Sequence, residues 1–153
     1  MNAWMNDAGN LGIPKYEDSI ASITAASSTD NVENVGQVID RLNFYSASLN
    51  IGYLASITAA KQVTLGVNIY SCDESDGVFD SAVNLLTGVA MLSGALSASS
   101  GVYQLLINLE PYKRYIKFGK TFDLTATGTD TLQITQSQLW LTGSKYKPAS
   151  SNA

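Results

Sequence analysis

The chain has 153 residues with nine Lys and Arg, thirteen Asp and Glu, one Cys and no His, enough for a single domain with a sizeable core. The net charge of -4 argues against nucleic acid as a partner, and the absence of His excludes the Ser-His-Asp triad and zinc sites that use imidazole. No apolar run approaches the roughly 18 residues of a membrane span, so no membrane contact is predicted.

The first 18 residues are predicted to form an extended N-terminal arm. They mix turn residues with isolated large apolar side chains whose spacing fits neither a helix nor a strand. Such a segment cannot bury these groups by itself. It is therefore either a frayed end or an arm that orders against another subunit. The second alternative predicts these partner-binding residues: Trp4, Leu11, Ile13 and Tyr16.

In the next part of the chain, apolar and polar residues alternate with a period of two, as they do in half-buried strands. After weak strand signals at 19–25 and 35–42, separated by a predicted loop at 24–34, a clear strand has one apolar face: Tyr45, Ala47, Leu49, Ile51 and Tyr53. The following strand is more regular, and its predicted inward side chains are Val63, Leu65, Val67 and Ile69.

The segment 78–96 is ambiguous. It is interpreted as two short strands, at 78–86 and 89–96, but 81–96 also has a partial helical stripe. Gly88 and Gly94 argue against the helix, since each costs about 1 kcal/mol relative to Ala in a helix interior.

Three further strands follow. In the first of them, the predicted inward residues are Tyr103, Leu105, Ile107 and Leu109. In the second, the predicted inward residues are Ile116, Phe118, Phe122 and Leu124, and the residues facing away are Lys113, Lys117, Thr121 and Asp123. In the last strand, residues 132–141, the phase slips at 136–138, which predicts a β-bulge there.

About eight strands without a crossover helix predict an all-β fold, an antiparallel β-sandwich for which the jelly roll is the favoured topology. The sandwich domain is predicted at 19–142, followed by a short polar C-terminal tail at 143–153. Cys72 has no activating His and is interpreted as a packed thiol.

Two acidic groups are candidates for a metal or catalytic site. Asp73, Glu74 and Asp76 follow a strand, and Asp73, Asp76 and Asp80 could supply oxygen ligands to Ca²⁺, but the spacing of a calcium-binding loop is absent. The pair Asp123 and Asp130 lies at a strand end and turn, which does not suit a catalytic dyad. The acidic turn is therefore predicted to connect two strands, and no catalytic residue, metal or cofactor is expected.

One basic run, Lys113, Arg114, Lys117 and Lys120, alternates with aromatic residues. It has three interpretations: charges that protect an edge strand from aggregation, an oligonucleotide platform, or a contact with an acidic partner surface. The last alternative adds Lys113, Arg114 and Lys117 to the candidate partner-binding residues.

Several of these elements resemble small structural proteins of tailed bacteriophages. The matching elements are IDR at 39–41, a strand with Ser46, Leu49 and Ile51, VTLGV at 63–67, ESDG at 74–77 followed by Phe79, and YKRYIKF at 112–118 with the closing strand after TATGTDTLQI. The resemblance covers residues 38–142. It is to jelly-roll decoration, or cement, proteins of phage heads, and the chain before Val38 has no counterpart in it.

The resemblance implies a non-enzymatic virion protein on the capsid exterior that is assembled in the host bacterial cytoplasm. Its partner would be the major capsid protein, and it would be a homo-oligomer, a dimer or a trimer, on the capsid lattice. Two rival functions remain: a carbohydrate-binding β-sandwich of a tail or receptor-binding assembly that uses Trp140 or Tyr platforms, and a small enzyme, which the missing His disfavours.

Overall fold

The computed structural model describes residues 13–16, 22–58, 61–94, 98–125 and 128–144. These ranges contain ten strands: β1 (Ile13–Tyr16), β2 (Ile23–Thr24), β3 (Glu33–Val35), β4 (Ile39–Asp40), β5 (Phe44–Ser56), β6 (Lys61–Cys72), β7 (Val83–Gly94), β8 (Ser99–Asn108), β9 (Tyr115–Leu124) and β10 (Thr131–Ser144). Within the same ranges there is no helix that could cross a membrane.

The strands form two antiparallel sheets. Sheet A has the order β1-β10-β5-β8, and β2 also pairs with β10. Sheet B has the order β3-β9-β6-β7, and β4 also pairs with β9. Because β1 and β2 share one side of β10, and β3 and β4 one side of β9, each sheet has four strand positions. The chain passes between the sheets after β2, β4, β5, β7, β8 and β9, which is the strand order of a jelly roll. The predicted all-β sandwich is confirmed.

The core lies between the two sheets and follows the predicted phase. Val63, Leu65, Val67 and Ile69 of β6 are at most 1% exposed. The inward residues of β5, β9 and β10 complete the core of the sandwich: Ala47, Leu49, Ile51, Ile116, Phe118, Phe122, Leu124, Leu132, Ile134, Leu139 and Leu141. An alternating strand with one apolar face buries that face when a second sheet covers it.

Some side chains that were predicted to face inward are less buried, at a strand end and at the edge of sheet A. Tyr45, at the start of β5, is 40% exposed, although the alternation predicted it on the buried face. Tyr103 and Leu105 of β8 are only partly buried, because β8 is the last strand of its sheet and has β5 on one side alone.

The prediction of an exposed basic run is wrong for Lys120. The sequence grouped it with exposed cations, but it lies in phase with Phe118 and Phe122 and is 1% exposed. Its Nζ donates a hydrogen bond to Ser137 Oγ of the opposite sheet at 3.1 Å. Since a buried ammonium must find hydrogen-bond partners, this contact belongs to the interior of the sandwich.

The ambiguous segment is a single strand, β7, in which two short strands were predicted. The helix alternative is therefore wrong. Gly88 has a φ of 53°, and the pairing of β7 with β6 shifts register between Val63 and Thr64, Leu65 and Val67, and Val67 and Asn68. The left-handed backbone at Gly88 allows one irregular strand to continue where the hydrophobic pattern predicted two separate strands.

The predicted β-bulge in β10 is present, but it lies between Ile134 and Gln136, immediately before the predicted stretch at 136–138. It restores the inward phase for Leu139 and Leu141, both fully buried. Without the extra residue, the second half of β10 would turn its apolar side chains to the outside.

The sandwich also begins earlier than predicted. Residues 13–16, assigned to the arm, form β1 and pair with β10 from Leu141 to Gln138. The weak strand at 35–42 is replaced by two short strands, β3, which begins within the predicted loop at 24–34, and β4. Of the weak strand at 19–25, only Ile23–Thr24 forms a described strand, β2. A four-residue strand is too short to show an alternating hydrophobic pattern, and pairing with β10 is enough to keep β1 in the sheet.

Candidate functional site

The structure separates the predicted partner-binding residues into two groups. Trp4 and Leu11 lie outside the described residues. The backbones of Ile13 and Tyr16 pair with Leu141 and Gln138 of β10. Lys113, Arg114 and Lys117 lie just before and within the start of β9, in sheet B.

The acidic turn and the basic run meet. Lys113 Nζ lies 3.0 Å from Asp80 Oδ2 and 3.4 Å from Asp73 Oδ2. The hydrogen bond to Asp80, followed by that to Asp73, raises the pKa of Lys113. The connection from β6 to β7 is therefore tied by its carboxylates to the segment before β9. Ion pairing with Lys113 accounts for Asp73 and Asp80.

The other two cations also have partners in the chain. Arg114 makes a two-pronged contact with Asp40, with Nε 3.0 Å from Oδ1 and Nη2 2.7 Å from Oδ2. Lys117 Nζ lies 4.2 Å from the ring centre of Phe79 and 5.4 Å from that of Tyr70, so its charge is held between two aromatic faces.

Arg41 is a structural residue that the sequence analysis named only as part of the IDR motif. Its Nε donates to the carbonyl of Lys113 at 2.8 Å and its Nη1 to that of Phe44 at 2.9 Å. Its Nη2 donates to the carbonyl of Tyr112. Burial lowers the pKa of Arg41. One guanidinium thus joins the turn before β5 to the segment before β9.

These contacts explain the motifs that carried the resemblance. IDR, ESDG with Phe79, and YKRYIKF are separate in the sequence but form one motif cluster, defined as residues 39–41, 73–80 and 112–117. Ile39 pairs with Ile116 in the same place. The cations of the cluster are matched by carboxylates, aromatic rings or carbonyls of this chain, so the cluster holds loops together and leaves little charge for a partner.

No metal centre is formed within the described ranges, where no three acidic or Cys side chains are grouped closely enough to hold an ion. Asp130 is buried, and its Oδ2 accepts hydrogen bonds from the Thr58 backbone N and from Thr58 Oγ1, each at 3.0 Å. This carboxylate is engaged in fixing the turn after β5.

A second polar network lies on the outer face of sheet B. Glu33 of β3 crosses β9 above Gly119 and accepts hydrogen bonds from Asn68 Nδ2 at 2.7 Å and from Tyr70 Oη at 2.6 Å. A Cβ on Gly119 would overlap the Glu33 carboxylate, so the crossing of this side chain over β9 requires glycine at that position. The hydrogen bond to Glu33, burial and the carboxylate's charge raise the pKa of Tyr70 to about 12.

Glu33→Gln is expected to lower the pKa of Tyr70 toward its ordinary value of 10.0. The pKa of Tyr70 is higher in the folded state than in the unfolded state. The hydrogen bond from Tyr70 to Glu33 therefore stabilises the fold fully below pH 10, and this stabilisation is lost as the pH rises to about 12. The wild type should therefore lose more stability than Glu33→Gln between these pH values. Urea unfolding across this range measures the difference.

Glu74→Gln is the matched control, since it removes the same charge from the exposed acidic turn. Its pH profile should follow that of the wild type. Equal alkaline losses in the wild type and in Glu33→Gln would contradict the assigned role of Glu33.

The most distinctive surface is the one formed by the outward side chains of β5, β8 and β10, which we call the outer face of sheet A. Strands β5, β8 and β10 contain no Asp, Glu, Lys or Arg. Outward side chains form rows across the three strands: Trp140, Ser48 and Leu106 in one, Gln138, Asn50 and Gln104 in the next. The charges of the chain are thus confined to sheet B, the loops and the segments outside these strands.

Apolar groups stand exposed within this uncharged surface. Leu106 is 75% exposed, Val102 63% and Trp140 37%. Gln104 Nε2 donates to Ser48 Oγ at 3.0 Å and to Asn50 Oδ1 at 3.1 Å, which holds the polar side chains between them. A shallow depression of about 460 Å³ lies at one end of the face, lined by Ser46, Ala47, Leu106, Ile107, Asn108 and Thr142.

In class, then, the chain is a jelly-roll β-sandwich with one uncharged outer face. No protein-family model matches it, and no curated protein does. Its structural neighbours include chains from infectious bursal disease virus. One is from the T13 viral particle, with 16% identity, a TM-score of 0.49, and coverage of 88% of this chain and 32% of that one.

Two other neighbours come from the same virus. Its derived T=1 particles give 16% identity, a TM-score of 0.49, and coverage of 90% of this chain and 32% of that one. The Gt strain gives 14% identity, a TM-score of 0.48, and coverage of 90% and 35%. This chain spans about a third of the length of these neighbours. With TM-scores below 0.5, they carry no argument about function, and the jelly roll is assigned from the strand order.

Proposed function

We propose that the chain is a structural virion protein: a decoration, or cement, protein that binds the outer surface of a bacteriophage head and stabilises contacts between major capsid subunits. The resemblance of residues 38–142 to such proteins supports this function. The observation that carries it is the uncharged outer face of sheet A, with Trp140, Leu106 and Val102 exposed on it.

An uncharged face suits a protein that docks on another protein. Burying a charge in an interface costs free energy unless it is paired, and the centres of protein interfaces are accordingly depleted of charged residues. Gln, Asn and Ser side chains can hydrogen-bond in either direction, while an exposed Trp supplies apolar area. Trp140 and Leu106 lie in one row on either side of Ser48 and are proposed as two apolar anchors of the interface.

The stabilising mechanism is multivalent clamping. A copy that contacts two capsid subunits adds a binding free energy that must be overcome before those subunits separate. Each contact can be weak, because copies held on a fixed lattice bind with a high effective concentration. Such a role needs rigid surfaces and no chemistry.

The arm and the basic run enter the proposal as secondary contacts. Trp4, Leu11, Ile13 and Tyr16 are proposed to reach the shell or a sister copy from the β10 side of sheet A, where β1 is paired. Lys113, Arg114 and Lys117 are weaker candidates, because each is already paired within the motif cluster.

Trp140→Ser is expected to weaken binding to shells at least about tenfold, since a buried aromatic anchor commonly contributes about 2 kcal/mol or more to an interface. The fold should be retained because Trp140 points outward. Co-sedimentation of the purified variant with shells stripped of the native protein measures this affinity.

The control is Val78→Ser, which removes an apolar side chain that is 95% exposed in the β6–β7 connection, away from sheet A. Its affinity for shells should equal that of the wild type. Unchanged binding by a folded Trp140→Ser variant would rule out the outer face of sheet A as the docking surface.

A carbohydrate-binding role is the second candidate, and the position of Trp140 is what favours it. A flat aromatic ring flanked by Gln138 and Thr142 on the same strand face is a suitable platform for a neutral sugar. Binding of the purified protein to a glycan array, lost in Trp140→Ser, together with no binding to shells, would favour this function over decoration.

A further inference from the structure

The free edge of sheet A is the feature from which we infer a second interaction. Among the described residues, β8 pairs with β5 on one side and with nothing on the other. Its pairing with β5 is continuous from Ser99 to Asn108, without a register shift. We propose that this edge joins a second copy of the same chain, so that two copies of β8 pair antiparallel about a twofold axis and extend sheet A across the dimer.

The usual protections of an edge strand are missing from β8. Native proteins protect such edges with charged side chains, proline or bulges. β8 has none of these, and no charged residue occurs anywhere between Asp80 and Glu110. The last strand of sheet B is different, because three register shifts and the left-handed Gly88 make β7 irregular. Of the two outer strands β7 and β8, only β8 is therefore a regular template.

The charge of the protein favours a second copy at this place. In a twofold contact, each surface patch meets itself, so every charged side chain near the axis would face its own like charge. The chain has a net charge of -4, which opposes self-association through its charged surfaces. The edge formed by β8 is free of this repulsion.

The order of side chains along β8 also suits pairing with itself. With Gln104 on the axis, Val102 faces the partner's Leu106, and Tyr103 faces the partner's Leu105. Apolar groups then meet apolar groups on both sides of the sheet, and Ser100 meets the partner's Asn108. Cross-strand pairs of this kind are the contacts that stabilise antiparallel sheets. The exposed fractions of Val102 and Leu106, 63% and 75%, would fall on dimerisation.

The test places like or opposite charges on the axis. Gln104 is exposed, and Gln104→Lys or Gln104→Glu would each set two like charges against one another in the dimer. Each variant alone is expected to raise the dimer dissociation constant more than about tenfold. An equimolar mixture of the two should restore a dimer, because the mixed pair joins opposite charges. Sedimentation velocity over a concentration series gives the masses, against a monomer of 16.3 kDa.

Two controls isolate the effect. Gln104→Ala removes the hydrogen bonds to Ser48 and Asn50 without adding charge, and it should remain dimeric. Gln133→Lys adds the same charge to the outer face of sheet A on β10, away from the edge, and should also remain dimeric. Melting temperatures of all variants verify that they are folded.

Three results would overturn the inference: a wild-type protein that is monomeric or trimeric throughout the series, a dimer that survives in both charged variants, or a mixture that stays monomeric. A monomer whose Gln104→Lys variant loses binding to shells, while Gln133→Lys keeps it, would instead assign the edge to a capsid strand. The dimer is measured without shells, so its failure is distinct from failure of the decoration function, which Trp140 tests from β10.

Discussion

Leu65→Ala is expected to lower the free energy of unfolding by about 2–5 kcal/mol, the range for removing a large aliphatic side chain from a packed core. Leu65 is fully buried in β6, the strand between β9 and β7, and is paired with Phe122 and Val89. Its truncation leaves a cavity between the sheets that neighbouring strands cannot easily close. Urea unfolding gives the free energy directly.

Thr64→Ala provides the comparison within the same strand. Thr64 faces away from the core and should change stability by less than about 1 kcal/mol. If the urea midpoints ranked the two variants in the opposite order, the register of β6 would be wrong, and with it the assignment of inner and outer faces in sheet B.

Arg41→Ala is expected to cost about 2–4 kcal/mol, because hydrogen bonds from a charged donor contribute about 1.5–3 kcal/mol each and water can replace only some of them. Three carbonyls, those of Phe44, Tyr112 and Lys113, lose their donor at once. Arg41→Lys should recover part of the loss, since an ammonium cannot span all three. Thermal or urea unfolding of both variants measures these effects.

The matched variant is Arg114→Ala, which breaks the exposed pair with Asp40 in the same cluster. It should change stability much less, because solvent screens exposed ion pairs. Equal losses in Arg41→Ala and Arg114→Ala would mean that charge pairing, and not the carbonyl contacts of Arg41, holds the two segments together.

Hydrophobic alternation was sufficient to predict the central strands. In β6 the odd-numbered positions from Val63 to Ile69 are all apolar, so one local pattern determines both the element and its buried face. The same reasoning located the bulge in β10, because one extra residue is the simplest way for a strand to change phase and keep its apolar side chains inside. These features depend on nearest neighbours along the chain and need no knowledge of partners.

The features that were missed depend on contacts between distant segments. Lys120 was placed outside because of its charge, although its position is in phase with Phe118 and Phe122; its hydrogen bond to Ser137 comes from the other sheet. Arg41 acts on the carbonyls of Tyr112 and Lys113, which are 71 and 72 positions away. β1 is too short to show a period and is held by β10.

The only trace of the candidate surface in the sequence is the lack of charged residues in three of its segments. Strands β5, β8 and β10 carry no charge, but the alternation of a strand describes that strand alone, and only the fold shows that these three are neighbours. The basic run is conspicuous because its residues are close together in the sequence, yet the motif cluster accounts for the charges of Lys113, Arg114 and Lys117, and Lys120 is buried between the sheets.

The position of β10 in sheet A has a consequence for synthesis of the protein on the ribosome. β5, β7 and β8 all leave the ribosome before β10, which completes the middle of the sheet by pairing with β5. Until then, a nascent chain presents one side of β5 and the uncharged stretch between Asp80 and Glu110 to its surroundings. Such segments, without charged gatekeepers, favour aggregation of incomplete chains. The same lack of charge that suits the finished surface to binding therefore leaves the growing chain open to aggregation until β10 is in place.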